Sequence, residues 1–424
     1  MRKSIFIALV SLFLAVLLIS CDSKNQDDPT PSQPNQSGQT DKSSLPQLSV
    51  LVDLPSAGSG SVDDFFSYVP GNGKSFLIIT ETLPPEGQER SAALTRIRTE
   101  ILAGKGPDVF ICTCWVPGFG EEGLFKFPNQ AMENRIFLPL DDYISGAKYM
   151  EWDRLLPVVM EAGKGQEGQM LLPLAYRFDV FLLDRDRFSS SVEFPATWDE
   201  LAESGDKLAR SLAGYVTPYD MMGELADYDK DVPAFSEDEL FEYMKKVLDH
   251  LKKVQSESIV PIFLNFSDSK FNGPDYTMDL LKGREFDFFS TYNKDGGITA
   301  DITAFAGINR NSAHPDEAFT VLDFLLNRDV QKGFTIYSAM HSLPTHMDLY
   351  SNKYPAHGQA MSEEHFESFS KLRDQINVAK FYTPLEGAML GITAEFDFKN
   401  GTEDELRKIV HKHYMEMSMM LAES

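Results

Sequence analysis

The stretch ALTRIRTEILAGKGPDVF, Ala93 to Phe110, carries a helix, its stop and a strand in immediate succession. Leu94, Ile97, Ile101 and Leu102 recur at the spacing of one helical face. Gly104, Gly106 and Pro107 end that helix, because glycine readily takes the left-handed conformation of a helix C-terminus and proline cannot continue one. Asp108 to Cys112 follows as an apolar strand. Upstream, Leu48 to Leu54 reads as a short strand and Val62 to Val69 as a helix. Lys74 to Leu83 contains Phe76, Leu77, Ile78 and Ile79, a continuous apolar run that suits a strand covered on both faces. Strand, helix, strand, helix, strand predicts an α/β lobe with a largely parallel sheet.

Three hydroxyl–carboxylate pairs announce helices further on. Thr197 with Glu200, Ser236 with Glu239, and Thr402 with Glu405 can each satisfy the free amides of a first turn. Stripes follow each cap: Trp198, Leu201, Gly205, Leu208 and Leu212 behind the first, Leu240, Met244, Val247, Leu248 and Leu251 behind the second, and Leu406, Val410, Met417 and Met420 behind the third. Pro315 opens a further helix through Ala318, Val321, Leu322 and Leu325.

The N-terminal end is built for export. Arg2 and Lys3 precede an uncharged run from Ile5 to Ile19, which gives residues 1–20 the organisation of a secretory signal. The run falls short of the roughly 20 apolar residues of a membrane span. It ends in Leu18, Ile19, Ser20 and Cys21, which resembles a bacterial lipobox; the resemblance implies cleavage before Cys21 and acylation of its thiol. Residues 21–46 are rich in Ser, Gln, Asn, Asp and Pro, with no apolar residue between Asp22 and Leu45, and read as a tether that buries too little surface to fold.

What remains of the 424-residue chain, Gln47 to Ser424, exceeds what one core usually organises and predicts two lobes. Its net charge of −25 argues against nucleic acid and anionic membrane surfaces as partners. Apart from Cys21, the only cysteines are Cys112 and Cys114, so no disulfide framework is expected. Two apart on a strand, they share a face and read as small buried thiols rather than a metal site. His411 and His413, two apart on a helix, lie on different faces and not at metal-binding spacing.

Four ordered blocks resemble the family-1 extracellular solute-binding proteins, which include maltose- and oligosaccharide-binding proteins. They are Ala93 to Phe110; LLPLAYRFDVFLLDRDRF, Leu171 to Phe188, followed by FPATWDEL, Phe194 to Leu201; FAGINRNSAHPDEAFTVLDFLLNRDVQ, Phe305 to Gln331; and Phe381 to the terminus, with TPLEGAMLGI and a long last helix. The second block resembles the crossing from the first lobe to the second, and the third resembles the return. The chain departs from the family where STYNKDGG, Ser290 to Gly297, replaces a common Gly-Phe-Pro element. The resemblance implies a two-lobe periplasmic-binding-protein-like fold of type II, with mainly parallel sheets flanked by helices. One lobe would comprise 47–175 and 305–340, the other 176–304 and 341–424. It further implies a monomeric carbohydrate-binding component of an ABC importer, with permease subunits as partners and no cofactor or metal, held on the outer face of the cell membrane through acylated Cys21.

In such a protein the ligand lies between the lobes, held by aromatic faces and planar polar groups. Trp115, just beyond the strand ending in Cys114, is the first candidate for stacking on a sugar ring. Tyr176, Arg177 and Asp179 lie in the first crossing, with a hinge hydrogen-bond network as their alternative role. Arg177 could grip a carboxylate, which admits an acidic sugar beside a neutral oligosaccharide. Tyr219 and Asp220, from the second lobe, and Tyr292 and Asn293, before the return, complete the set. Trp152 and Trp198 read as packing residues. The alternative function is an exported lipoprotein enzyme acting on polysaccharide, a glycoside hydrolase or lyase, although the chain contains no HExxH, GxSxG or P-loop motif. A surface sensor or adhesin without an importer is a third reading.

Overall fold

Val50 and Val52 of the first strand enter one apolar layer and Leu51 the opposite one, so the sheet that begins here is covered on both faces. The computed structural model describes residues 44–54, 59–114, 123–184, 196–215, 218–254, 262–263, 281, 283, 285–333, 335–338, 340, 342–356, 360–397 and 399–423. All of these belong to one compact unit, Lys42–Ser424. The signal segment, Cys21, nearly all of the tether and Trp115 lie outside the described residues.

The N-terminal succession is the one expected: β1 (Gln47–Asp53), α1 (Ser59–Ser67), β2 (Leu77–Thr82), α2 (Gly87–Leu102) and β3 (Val109–Thr113). Gly104 and Gly106 take φ of 70° and 103°, the left-handed conformation that releases the chain from α2. The aspartate that follows acts as a staple. Asp108 accepts from the Ser49 amide at 2.8 Å and the Ser312 hydroxyl at 2.7 Å, joining β1 to the turn beyond the central strand.

The crossing segments form the middle of the sheet. They are β4 (Leu171–Arg177), which continues into β5 (Phe181–Asp184), and, after β6 (Phe286–Phe289), the long β7 (Ile298–Ile308). With β8 (Leu343–Pro344) and β9 (Ile376–Phe381), the order is β8-β4-β7-β3-β1-β2, and β9 also pairs with β7. The sheet is mixed. β1 pairs parallel with β2 and β3, and β7 parallel with β9, whereas the two crossing strands run antiparallel to each other and β7 antiparallel to β3. This follows from one strand leaving and the other returning. β7 reads ITADITAFAGI with every residue buried. Along one edge its first half pairs with β9 and its second half with β3, while β4 occupies the other edge. At Gly307 a Cβ would come within 2.7 Å of the Leu171 side chain and 2.8 Å of the Phe137 ring, so close approach requires glycine there.

The helices follow their caps, with one difference. The stripe behind Thr197 is divided between α3 (Trp198–Glu203) and α4 (Lys207–Ala213), because Asp206 starts a new helix by accepting from the amides of Leu208 and Ala209 at 2.7 and 3.1 Å. Trp198 ties the pair together: it is buried and its Nε1 donates to the Ala213 carbonyl at 3.0 Å. α5 (Pro218–Met222), α6 (Glu237–Val254), α7 (Pro315–Leu325) and α8 (Glu363–Arg373) follow. α9 (Pro384–Glu395) and α10 (Glu403–Ala422) end the chain, and α10 packs against α9 and α6. β5 lies between β6 and the two-residue strand Ile262–Phe263 in a separate antiparallel sheet.

Candidate functional site

Asp301, on the otherwise largely apolar β7, lies in register with Arg177 of β4 on one side and Lys380 of β9 on the other. Opposite charges directly across neighbouring strands stabilise the pairing, and here they form a row of positive, negative and positive over three strands. Arg177 donates from both Nε and Nη2 to Asp301 Oδ2 at 3.4 Å. Lys380 Nζ reaches Glu386 Oε1 at 3.0 Å and donates to the Tyr219 carbonyl at 3.1 Å.

Two aromatic rings stand over the row. The Arg177 guanidinium lies 4.7 Å from the centre of the Tyr382 ring, and its Nη2 is 3.4 Å from Tyr219 Oη. The Tyr219 and Tyr382 rings meet edge to face at 5.4 Å. Tyr219 and Asp220 come from the short α5, which is tied to β7 where the Thr299 hydroxyl donates to the Asp220 carbonyl. Glu386 comes from the first turn of α9. There, Thr383 and Glu386 form a buried capping box, with the Thr383 amide and hydroxyl donating to Glu386 Oε2 at 2.8 and 2.6 Å.

Arg177 is spent on Asp301 and Lys380 on Glu386, while Asp220 and Asp179 bear on the same cluster. Burial pushes Asp301 up to about 6 although Arg177 and Lys380 pull the other way. Asp220 is held well above the usual carboxylate range, first by burial and then by the charges of Asp301 and Asp179. For Arg177, burial opposes the charge, but Asp301 and Tyr219 leave it more firmly protonated than an ordinary arginine. One oxygen each of Asp220 and Asp301, both Oδ1, is buried with no hydrogen-bond partner.

Of the residues singled out in the sequence, Arg177, Asp179, Tyr219 and Asp220 come together in this cluster. Tyr176 faces away from it, buried in the core with its ring stacked on Phe178 at 6.2 Å and its hydroxyl pushed up to about 12 by burial. Tyr292 is buried and donates to Gln375 Oε1 at 3.0 Å. Asn293 shapes its own turn, accepting from the amides of Asp295 and Gly297, and donates to Thr299 Oγ1 at 3.2 Å. It therefore reaches the cluster through Thr299. Trp115 lies outside the described residues; Cys114 before it donates its amide to the Thr303 carbonyl at 2.8 Å, on the same central strand as Asp301.

Asp301, Lys380, Tyr382 and Glu386 were not foreseen. A lone carboxylate inside ITADITAFAGI and a lone lysine inside INVAKF are the signals that could have found the first two, because a charge in a buried strand needs a partner. Cys112 and Cys114 are free and buried, as expected, and burial raises both thiols well above the usual value, so neither is an activated nucleophile. The geometry suits holding a polar ligand by hydrogen bonds and aromatic faces.

A sequence model of the family described as bacterial extracellular solute-binding protein matches residues 85–332. No curated protein sequence matches the chain. The structure is similar to the extracellular solute-binding protein family 1 member from Alicyclobacillus acidocaldarius (15% identity, TM-score 0.54, covering 89% of this chain and 98% of that one). It is also similar to the sugar-binding protein MalE from Xanthomonas citri (13% identity, TM-score 0.55, 89% and 98% covered). A third similar structure is a periplasmic oligogalacturonide binding protein from Yersinia enterocolitica (15% identity, TM-score 0.50, 89% and 99% covered). At these identities the likeness is one of fold, that of the two-lobe periplasmic binding proteins.

Proposed function

The chain belongs to the bacterial extracellular solute-binding protein family, and from that premise we propose that it captures a carbohydrate for an ABC importer by closing two lobes around it. The observation that carries this reading is the Arg177–Asp301–Lys380 row beneath Tyr219 and Tyr382, a polar and aromatic site at the point where the two crossing strands pair. Ligands of open α/β folds settle where connections cross, and saccharides are held by such mixtures of planar polar groups and aromatic rings. Two proteins that share the fold are a sugar-binding protein and an oligogalacturonide binding protein, which supports the same class of ligand.

The lobes of this reading are 47–175 with 305–340, and 176–304 with 341–424. Arg177, Asp179, Tyr219 and Asp220 face the ligand, Trp115 stacks on a sugar ring, and Tyr176, Tyr292 and Asn293 brace the site from behind. Acylated Cys21 holds the protein on the outer face of the cell membrane, and permease subunits read its closed form. The ligand is handed on unaltered. The second reading, an enzyme acting on polysaccharide, draws on the raised carboxyls Asp220 and Asp301, since a general acid needs such a group. Against it, Asp301 is pinned between two cations.

A thermal-shift screen of the body without Cys21 against a saccharide library decides between them. A ligand present at 100 times its Kd stabilises by about 2.7 kcal/mol, and chromatography of the mixture returns it intact. Cleavage of a stabilising saccharide would transfer the assignment to the enzyme.

A further inference from the structure

We propose that the hairpin 226–233 is a clasp that fastens the two lobes together in the closed form, with Asp231 and Tyr228 as its positioning residues. The inference rests on the two-lobe reading above and deepens it, since capture by closure needs contacts that favour the closed form.

Two short antiparallel strands, Ala226–Asp227 and Val232–Pro233, make the hairpin, and the Ala234 amide closes it by donating to the Leu225 carbonyl at 3.0 Å. Val232–Pro233 lies against α10, which fixes the hairpin to the second lobe of the proposed division. From there two side chains reach residues of the first. Asp231 Oδ1 accepts from Gln130 Nε2 at 2.7 Å, and the Tyr228 ring centre lies 6.3 Å from that of Phe127. Phe127 and Gln130 are buried, at the start of the short helix Pro128–Glu133, whose Ala131 and Met132 share an apolar layer with Phe110 and Phe137. Gln130 and Asp231 are 101 positions apart, so their contact joins elements that the chain itself does not hold together.

The tip is shaped for this contact. Asp231 takes φ of 53°, a left-handed conformation that aspartate and asparagine tolerate better than other side chains do. Lys230 pairs with Asp227 at 2.5 Å and braces the turn that presents Asp231. A hydrogen bond to a carboxylate is both strong and directional, so it selects one placement of the hairpin against the helix. The clasp also meets the candidate site. The Tyr228 hydroxyl has the Thr383 side chain as a hydrogen-bonding neighbour, and Thr383 caps Glu386, the partner of Lys380. One tyrosine thus stands between Phe127 of the first lobe and the Lys380 end of the polar row.

The test measures the distance between spin labels on Glu161→Cys and Glu242→Cys, exposed positions in the first and second lobes, in the body without Cys21 and with no saccharide added. Cys112 and Cys114 are buried and stay unlabelled. Asp231→Gly keeps the backbone of the tip but removes the acceptor, and should shift the ratio of open to closed forms about tenfold towards open, seen as a longer distance. Gln130→Ala removes the donor from the other side and should open the protein equally, and the two changes together should add nothing, because they lose the same bond. Asp231→Asn keeps a carbonyl acceptor and tolerates the left-handed backbone, so its distances should match those of the unaltered protein. Unchanged distances in both Asp231→Gly and Gln130→Ala would overturn the clasp. The saccharide screen of the unaltered protein reports on the carbohydrate reading separately. A stabilising saccharide alongside variants that do not open sinks the clasp alone, whereas variants that open in a protein no saccharide stabilises uphold the clasp and sink the carbohydrate reading.

Discussion

Asp220 shows how far a single carboxyl can be moved by its surroundings. Its side chain is crowded by Asp301 and Asp179 and desolvated, so its proton is held far more tightly than the ordinary Asp value of 3.8. A carboxyl whose folded pKa lies above its unfolded one binds more protons in the folded state, so its contribution to stability falls as pH rises from that lower value. Each unit of separation is worth about 1.4 kcal/mol. Asp220→Asn cannot titrate. Its thermal midpoint should match the unaltered protein near pH 4 and exceed it increasingly towards pH 8; an equal or lower midpoint at pH 8 would mean that Asp220 is ionised and paired. The buried pair Arg90 and Asp53, joined at 2.8 and 3.2 Å, is the opposite case, a carboxylate with a full partner set that also accepts the Leu124 amide. Nothing in the sequence marks Asp53 as paired and Asp220 as orphaned. The difference is made by residues far away in the chain, and only the charge itself inside an apolar strand, as at Asp301, is visible beforehand.

Helix starts were far more legible than strand partners, since a cap is settled within four residues and a pairing is not. Ser236 and Glu239 cap each other as their spacing implies, the Ser236 amide donating to Glu239 Oε2 at 2.7 Å, and Gly104 to Pro107 end α2 where periodicity stops. The division between α3 and α4 was less visible, because Gly205 continued an apparent stripe while Asp206 was already a cap. Arg177 and Asp301 are 124 positions apart, and no local pattern reports their register. The box of Thr383 and Glu386 has a spacing as plain as the others and a larger consequence. Thr197 and Glu200 cap α3 in solvent, whereas the hydrogen bonds of Thr383 are buried and its Glu386 also holds Lys380. Losing an N-cap costs about 0.5–2 kcal/mol, and removing a partner from a buried carboxylate belongs at the upper end. Thr383→Ala should therefore lower stability by about 2 kcal/mol in chemical denaturation, roughly twice the loss from Thr197→Ala. Equal losses would show that water replaces the hydroxyl at the Lys380 end of the site.

Across the whole molecule, β7 is the strand on which the proposed mechanism turns. It pairs with β9 over Ile298–Ile302 and with β3 over Ala304–Ile308, and its pairing with β4 shifts register between Ile302 and Phe305, where one neighbour gives way to the other. Such an irregularity interrupts the ladder and lets a strand bend. The proposed lobe boundaries, 175 and 304, would put a hinge inside β4 and at this shift, and a hinge there would leave the pairings on either side intact. A ligand closes such a hinge only through a difference in affinity between the open and closed forms. The polar row lies beside the shift, with Asp301 on its β9 side and the Cys114 strand end, leading to Trp115, bonded to Thr303 within it. Under the proposed mechanism a saccharide touching both would draw the halves together. Small-angle scattering should show the radius of gyration falling when a stabilising saccharide is added, and Trp115→Ala should weaken both the fall and the affinity. Trp152→Ala should leave both in place, since Trp152 packs in the apolar layer behind the sheet. A saccharide that binds tightly while the scattering curve stays unchanged would show that the site works without closure, and an importer would then need to recognise something other than the movement of β7.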